Sequence, residues 1–131
     1  MSLLKNIFKS SSEEKKVVTS NVHWIPLKRE EQLEEINEIS KNETVVIFKH
    51  STRCGISRMV IKLFEKKFDE SMTDLKVYYL DLLNYRELSN EVGYKYQILH
   101  QSPQLLVIKN SMAVEHASHY DISNIDLNQY I

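Results

Sequence analysis

Residues 45–48, Val-Val-Ile-Phe, form an apolar run with no polar alternation. Such a run fits a strand covered on both faces in a parallel or mixed sheet, so it is expected to be central. It passes through a polar turn, Lys49-His50-Ser51-Thr52-Arg53, into an amphipathic stretch that begins at Cys54. The spacing predicts a helix over about 55–69 with Ile56, Met59, Val60, Leu63, Phe64 and Phe68 turned inward. Lys62, Glu65, Lys66 and Lys67 are expected to face water. A second β-favouring run at 75–82 completes a strand–helix–strand unit, for which a right-handed parallel crossover is the strong expectation.

The remaining chain can be placed around this unit. Val22-His23-Trp24-Ile25 stops at Pro26 and reads as a short edge strand. Leu33, Ile36 and Ile39 recur among glutamates, which predicts a helix over about 29–40 with one buried face. A shorter helix is expected over 85–94, with Leu88 and Val92 inward and Gly93 as its terminator. Pro103 cannot donate to a sheet ladder and so marks the entry of a strand at 104–109. Asn110-Ser111 reads as a tight hairpin turn into a strand at 112–117, and 122–131 carries a weak helical pattern of Ile125, Leu127 and Ile131. Residues 1–20, with a small apolar patch (Leu3, Leu4, Ile7, Phe8) and a polar run, are expected to be a flexible tail, leaving 21–131 as one domain.

Cys54 is the chain's only cysteine, and it falls at the start of the central helix. A thiol there faces unpaired backbone N–H groups and the positive end of the helix dipole, with Arg53 and Arg58 beside it and Lys49 and His50 upstream. Cysteines in such surroundings react as thiolates, which makes Cys54 the candidate nucleophile. The alternative is an inert core cysteine, but the neighbours Ser51, Thr52, Arg53 and Ser57 are polar. Ser57 either bonds the thiolate or caps the helix. One cysteine forms no internal disulfide and suits a reducing cytoplasm. The formal net charge of −1 gives no field for nucleic acid or anionic lipid, and no apolar run approaches the roughly 18 residues of a membrane span. The opening residues lack the apolar region and cleavage site of a secretory signal, so a cytoplasmic setting is expected. His116 and His119, three apart in an expected strand, point to opposite faces and give no zinc site.

The order of elements, with cysteine opening the first crossover helix and an X–Pro bond at the entry to the hairpin, resembles the thioredoxin fold over about residues 22–131. That resemblance implies an α/β fold with a central mixed sheet of four to five strands flanked by helices. Cys54-Gly55-Ile56-Ser57 stands where that superfamily has CxxC, with serine in place of the second cysteine. Trp24-Ile25-Pro26-Leu27, Glu31-Gln32-Leu33 and the run from Phe48 to Met59 are similar to the YtxJ-type monothiol bacilliredoxins. This implies Cys54 as catalytic residue, with Arg53, Gly55, Ile56, Ser57, Ser102 and Pro103 as substrate-binding residues. It also implies S-bacillithiolated client proteins as partners and bacillithiol, a low-molecular-weight thiol, as co-substrate. No tightly bound cofactor and no metal are expected.

Two other readings remain open. Monothiol glutaredoxins that carry an iron–sulfur cluster have a CGFS site, one residue from Cys54-Gly55-Ile56-Ser57. Against that family, Thr52 stands where proline is usual, and the glycine pair that receives glutathione is missing, since Gly55 and Gly93 are the only glycines. The third reading is a thioredoxin-fold binding module without catalysis.

Overall fold

Every residue of the strand that leads to the Cys54 turn is buried, from Val45 to His50. A computed structural model of the chain describes residues 20–131. The expected tail, with Leu3, Leu4, Ile7 and Phe8, lies outside the described residues apart from Ser20. The elements are β1 (Trp24–Pro26), α1 (Glu31–Ser40), β2 (Val45–His50), α2 (Gly55–Lys67), β3 (Lys76–Asp81), α3 (Arg86–Tyr96), β4 (Gln104–Lys109) and β5 (Met112–Ser118). Short 3-10 segments lie at Glu70–Met72, His119–Asn124 and Leu127–Tyr130.

These strands form a five-stranded mixed sheet in the order β1-β3-β2-β4-β5. β2 pairs parallel with β3 on one side and antiparallel with β4 on the other. It is therefore central, as its unbroken apolar sequence requires. The β4–β5 hairpin turns through Asn110 and Ser111, both at positive φ (52° and 64°), the twist that suits a two-residue hairpin. The Ser102–Pro103 peptide is cis and leads directly into β4.

Alternate residues of β2 serve different layers. Val46 and Phe48 pack with Val60, Phe64 and Phe68 on the α2 face, joined by Ile122 and Leu127. Val45 and Ile47 pack with Leu33 and Ile36 of α1 and Leu88 and Val92 of α3 on the other face. Trp24 anchors the first layer: its indole N–H donates to Glu65 Oε2 (2.9 Å), and its ring lies 5.8 Å from Phe48 and 5.7 Å from Phe64.

Three expectations are corrected. On α2 the buried residues are Ser57, Val60 and Phe64, with Phe68 just beyond, whereas Ile56, Met59 and Leu63 are exposed. At about 100° per residue those three lie roughly 120° round the helix from the buried set, so the apolar positions mark two stripes and only one meets the sheet. Gly93 does not end α3, which runs on to Tyr96 and stops at Gln97 in the left-handed region (φ 55°). Gly93 instead allows a close approach: its carbonyl accepts the Ile98 N–H, and a Cβ there would meet the Ile98 oxygen at 3.1 Å. The C-terminal stretch forms two 3-10 segments rather than one helix, with Ile122 and Leu127 buried and Ile131 exposed. No helix among the described residues is long and apolar enough to cross a membrane.

Candidate functional site

β2 delivers the chain to the site. At its end the Cys54 N–H donates to the Ser51 carbonyl (3.2 Å), closing the turn, and the Arg58 N–H donates to the Cys54 carbonyl (3.0 Å), opening α2. Cys54 is the N-cap residue, with extended backbone (φ −96°, ψ 122°). Its side chain makes no capping hydrogen bond, and the thiol is half-exposed. The sulfur is thus left without a capping partner at the start of α2, partly open to solvent.

Arg53, Gly55 and Ile56 are exposed around it. Gly55 has room for a side chain, the nearest atom to an added Cβ being an Arg58 nitrogen at 3.9 Å. Ser57 is placed differently from expectation. It is fully buried, and its Oγ accepts the Ser51 N–H (3.0 Å) and lies 2.7 Å from His50 Nδ1. The hydroxyl is taken up by the turn that precedes Cys54, so Ser57 holds that turn from below and presents no surface to a substrate. Burial pushes the His50 pKa below its ordinary value; the Asp81 and Glu65 charges push it up and Arg58 pushes it down. A neutral imidazole can accept the Ser57 proton while Ser57 accepts from Ser51.

Ser102 and Pro103 come to the same end of the sheet. Lys49 is in register with Gln104, so the turn leaving β2 and the loop entering β4 emerge side by side. Ser102 is half-buried, its Oγ without a hydrogen-bond partner among the described residues, and Pro103 is buried with its carbonyl accepting the His119 N–H (3.0 Å). Behind this loop is a polar cluster. The Lys49 ammonium donates to the Ser89 carbonyl (3.0 Å) and lies 3.3 Å from His100 Nδ1, which is 3.3 Å from Ser89 Oγ. Lys49 does not flank the thiol as a surface cation. It is wholly buried on the face that packs against α3, and burial brings its pKa down to about 8. The signal was a lysine directly after four apolar strand residues, a position that continues the buried ladder.

His116 lies in β5, but His119 falls beyond it at φ 56°, in the first 3-10 segment that follows. Among the described residues no group of three His, Cys, Asp or Glu side chains converges.

A profile of the monothiol bacilliredoxin BrxC family matches residues 25–127. Among solved structures, a chain described as a proposed oxidoreductase with a thioredoxin fold is 32% identical, with a TM-score of 0.69 over 82% of this chain and 92% of that one. Thioredoxin from Malassezia sympodialis is 24% identical, with a TM-score of 0.64 over 80% of this chain and 88% of its own. Reduced Schistosoma mansoni thioredoxin is also 24% identical, with a TM-score of 0.62 over 84% of this chain and 100% of its own. The last two speak to the fold, which is thioredoxin-like.

Proposed function

The chain belongs to the monothiol bacilliredoxin family, and on that premise we propose that Cys54 removes bacillithiol from S-thiolated client proteins in a reducing cytoplasm. Family and fold support a thiol redox function. The observation that carries the finer reading is the half-exposed Cys54 thiol, free of any capping bond, in a chain with no second cysteine.

The Cys54 thiolate attacks the bacillithiol sulfur of the client's mixed disulfide. A new S–S bond forms between Cys54 and bacillithiol, the old one breaks, and the client leaves as a thiolate that takes a proton from water. No internal thiol can clear the adduct. A second low-molecular-weight thiol, entering as its thiolate, attacks it, releases Cys54 as thiolate and departs as the symmetric or mixed disulfide. That thiol is the reductant, and the client cysteine is the group reduced. Arg53, Gly55 and Ile56, exposed next to Cys54 in the chain, would meet the incoming disulfide, and Ser102, ahead of the cis proline, would offer its backbone to an extended client.

The test is intact mass of the protein and of an S-bacillithiolated client after mixing, with Cys54→Ala in parallel. The expected result is a bacillithiol adduct on the protein, loss of the adduct from the client, and neither with Cys54→Ala. Adduct formation with oxidised glutathione but not oxidised bacillithiol would overturn the choice of thiol. A cluster carrier needs several thiolate ligands, of which one chain supplies one. The protein is therefore expected to stay colourless after anaerobic reconstitution with iron, sulfide and glutathione, as read by visible absorption.

A further inference from the structure

Lys49 and His50 are consecutive on β2, so their side chains leave on opposite faces of the sheet. His50 fastens the nucleophile turn through Ser57. Lys49 fastens something on the other face. Its ammonium, with no exposed surface, donates to the Ser89 carbonyl of α3 and reaches His100 Nδ1, in the segment between α3 and the cis Ser102–Pro103 bond.

No carboxylate pairs with Lys49 among the described residues. A buried cation without a counter-ion is costly, and methionine would fill similar space without that cost. The cost directs attention to what an ammonium alone supplies here: charge-assisted donors aimed at two elements at once. The loop has another fastening. Buried Gln104 donates from Nε2 to the Leu99 carbonyl (2.9 Å), and its Oε1 accepts the Gln101 N–H (3.5 Å). That fastening joins the loop to its own strand, whereas the Lys49–His100 contact joins it to β2, the strand that leads into the Cys54 turn.

We propose that Lys49 is a positioning residue for thiol exchange: by holding His100 it fixes the Ser102–Pro103 loop against the strand leading to Cys54, so that a docked client disulfide lies within reach of the sulfur. The proposal rests on the reading of function given above.

The experiment compares the wild type with Lys49→Met, His100→Ala, His100→Asn and the Lys49→Met/His100→Ala double variant. Three readouts are taken: alkylation of Cys54 by iodoacetamide, kcat and KM for an S-bacillithiolated client protein, and hydrogen exchange of the 97–104 amides. Iodoacetamide needs the sulfur but not the loop. Lys49→Met is expected to alkylate within about twofold of wild type while kcat/KM falls about tenfold through KM, the scale of one lost charge-assisted hydrogen bond. Amide exchange at 97–104 should quicken. His100→Ala should match it, the double variant should be no worse than either single one, and His100→Asn, which keeps an acceptor, should recover most of the loss. Equal losses in alkylation and exchange would overturn the proposal, placing Lys49's effect on the thiol itself. Unchanged KM, or losses that add in the double variant, would overturn it too. If Lys49→Met does not fold, the His100→Ala and His100→Asn pair decides by the same KM criterion. A wild type that alkylates but does not de-thiolate the client overturns the functional reading. Unchanged amide exchange in the variants overturns the proposed tie by itself.

Discussion

Helices α1 and α2 both carry apolar residues at helical spacing, but they use them differently. In α1, Leu33 and Ile36 go into the core and the exposed positions are mostly glutamates. In α2, Ser57, Val60 and Phe64 form a buried face with the same spacing, while Ile56, Met59 and Leu63 remain outside in the turns that follow Cys54. The contrast separates two reasons for an apolar side chain. In α1 it reports packing alone. In α2, which opens at Cys54, a second set of apolar residues stays 36–53% exposed beside the buried face, so apolar spacing there does not report packing alone.

The largest effect that sharpens this contrast is expected from Phe64→Ala. Phe64 is buried against Trp24, Phe48 and Phe68, so its truncation should cost about 3–5 kcal/mol, read as a lowered urea midpoint at constant slope. Ile36→Ala, at 0% exposure in α1, should cost about 2–5 kcal/mol by the same measurement. A cost under 1 kcal/mol at either site would mean that the core faces are wrongly assigned.

A smaller effect concerns the polar fastening of α2. Burial lowers the His50 pKa, so in the window between its folded value and the unfolded 6.5 the unfolded chain binds more protons. This contribution to stability is fully present above about pH 6.5 and is lost as pH falls through that window. Urea midpoints measured from pH 7.5 down to 5 should therefore drop less steeply in His50→Gln than in wild type. Identical slopes would show that His50 titrates no differently in the folded chain.

The smallest stability effects are expected from Ile56→Ser, Met59→Ser and Leu63→Ser, each at most about 1 kcal/mol, since these side chains are 36–53% exposed. Their mark should fall instead on KM for a protein client. A loss of stability near that of Ile36→Ala would erase the distinction between the two helices.

What could be read from the sequence follows the same line. The central strand, the crossover unit, the proline-led β4 and the Asn110–Ser111 turn each depend on a local pattern with one structural solution, and the sequence carries them openly. The inward face of α2 was legible only in part: Val60, Phe64 and Phe68 are buried as their spacing predicts, but Ile56, Met59 and Leu63 form a second stripe just as apolar, and periodicity alone does not say which stripe meets the sheet. Ser57 posed a related problem: capping and thiolate bonding are alternatives for the same residue, and its pairing with His50 depends on the fold of the turn. Lys49 and His100 are 51 residues apart, and a lysine in a strand reads as solvated until its partners are known.

Trp24 is the chain's only tryptophan, and its ring touches β2 through Phe48, α2 through Phe64 and β3 through Tyr79. A single indole held at the meeting of three elements makes the protein its own optical probe. Its emission reports the layer beneath the nucleophile turn without a label, and the chain's one thiol stays free for chemistry. Folding around Cys54 and reaction at Cys54 can thus be followed in one sample, the first by light and the second by mass.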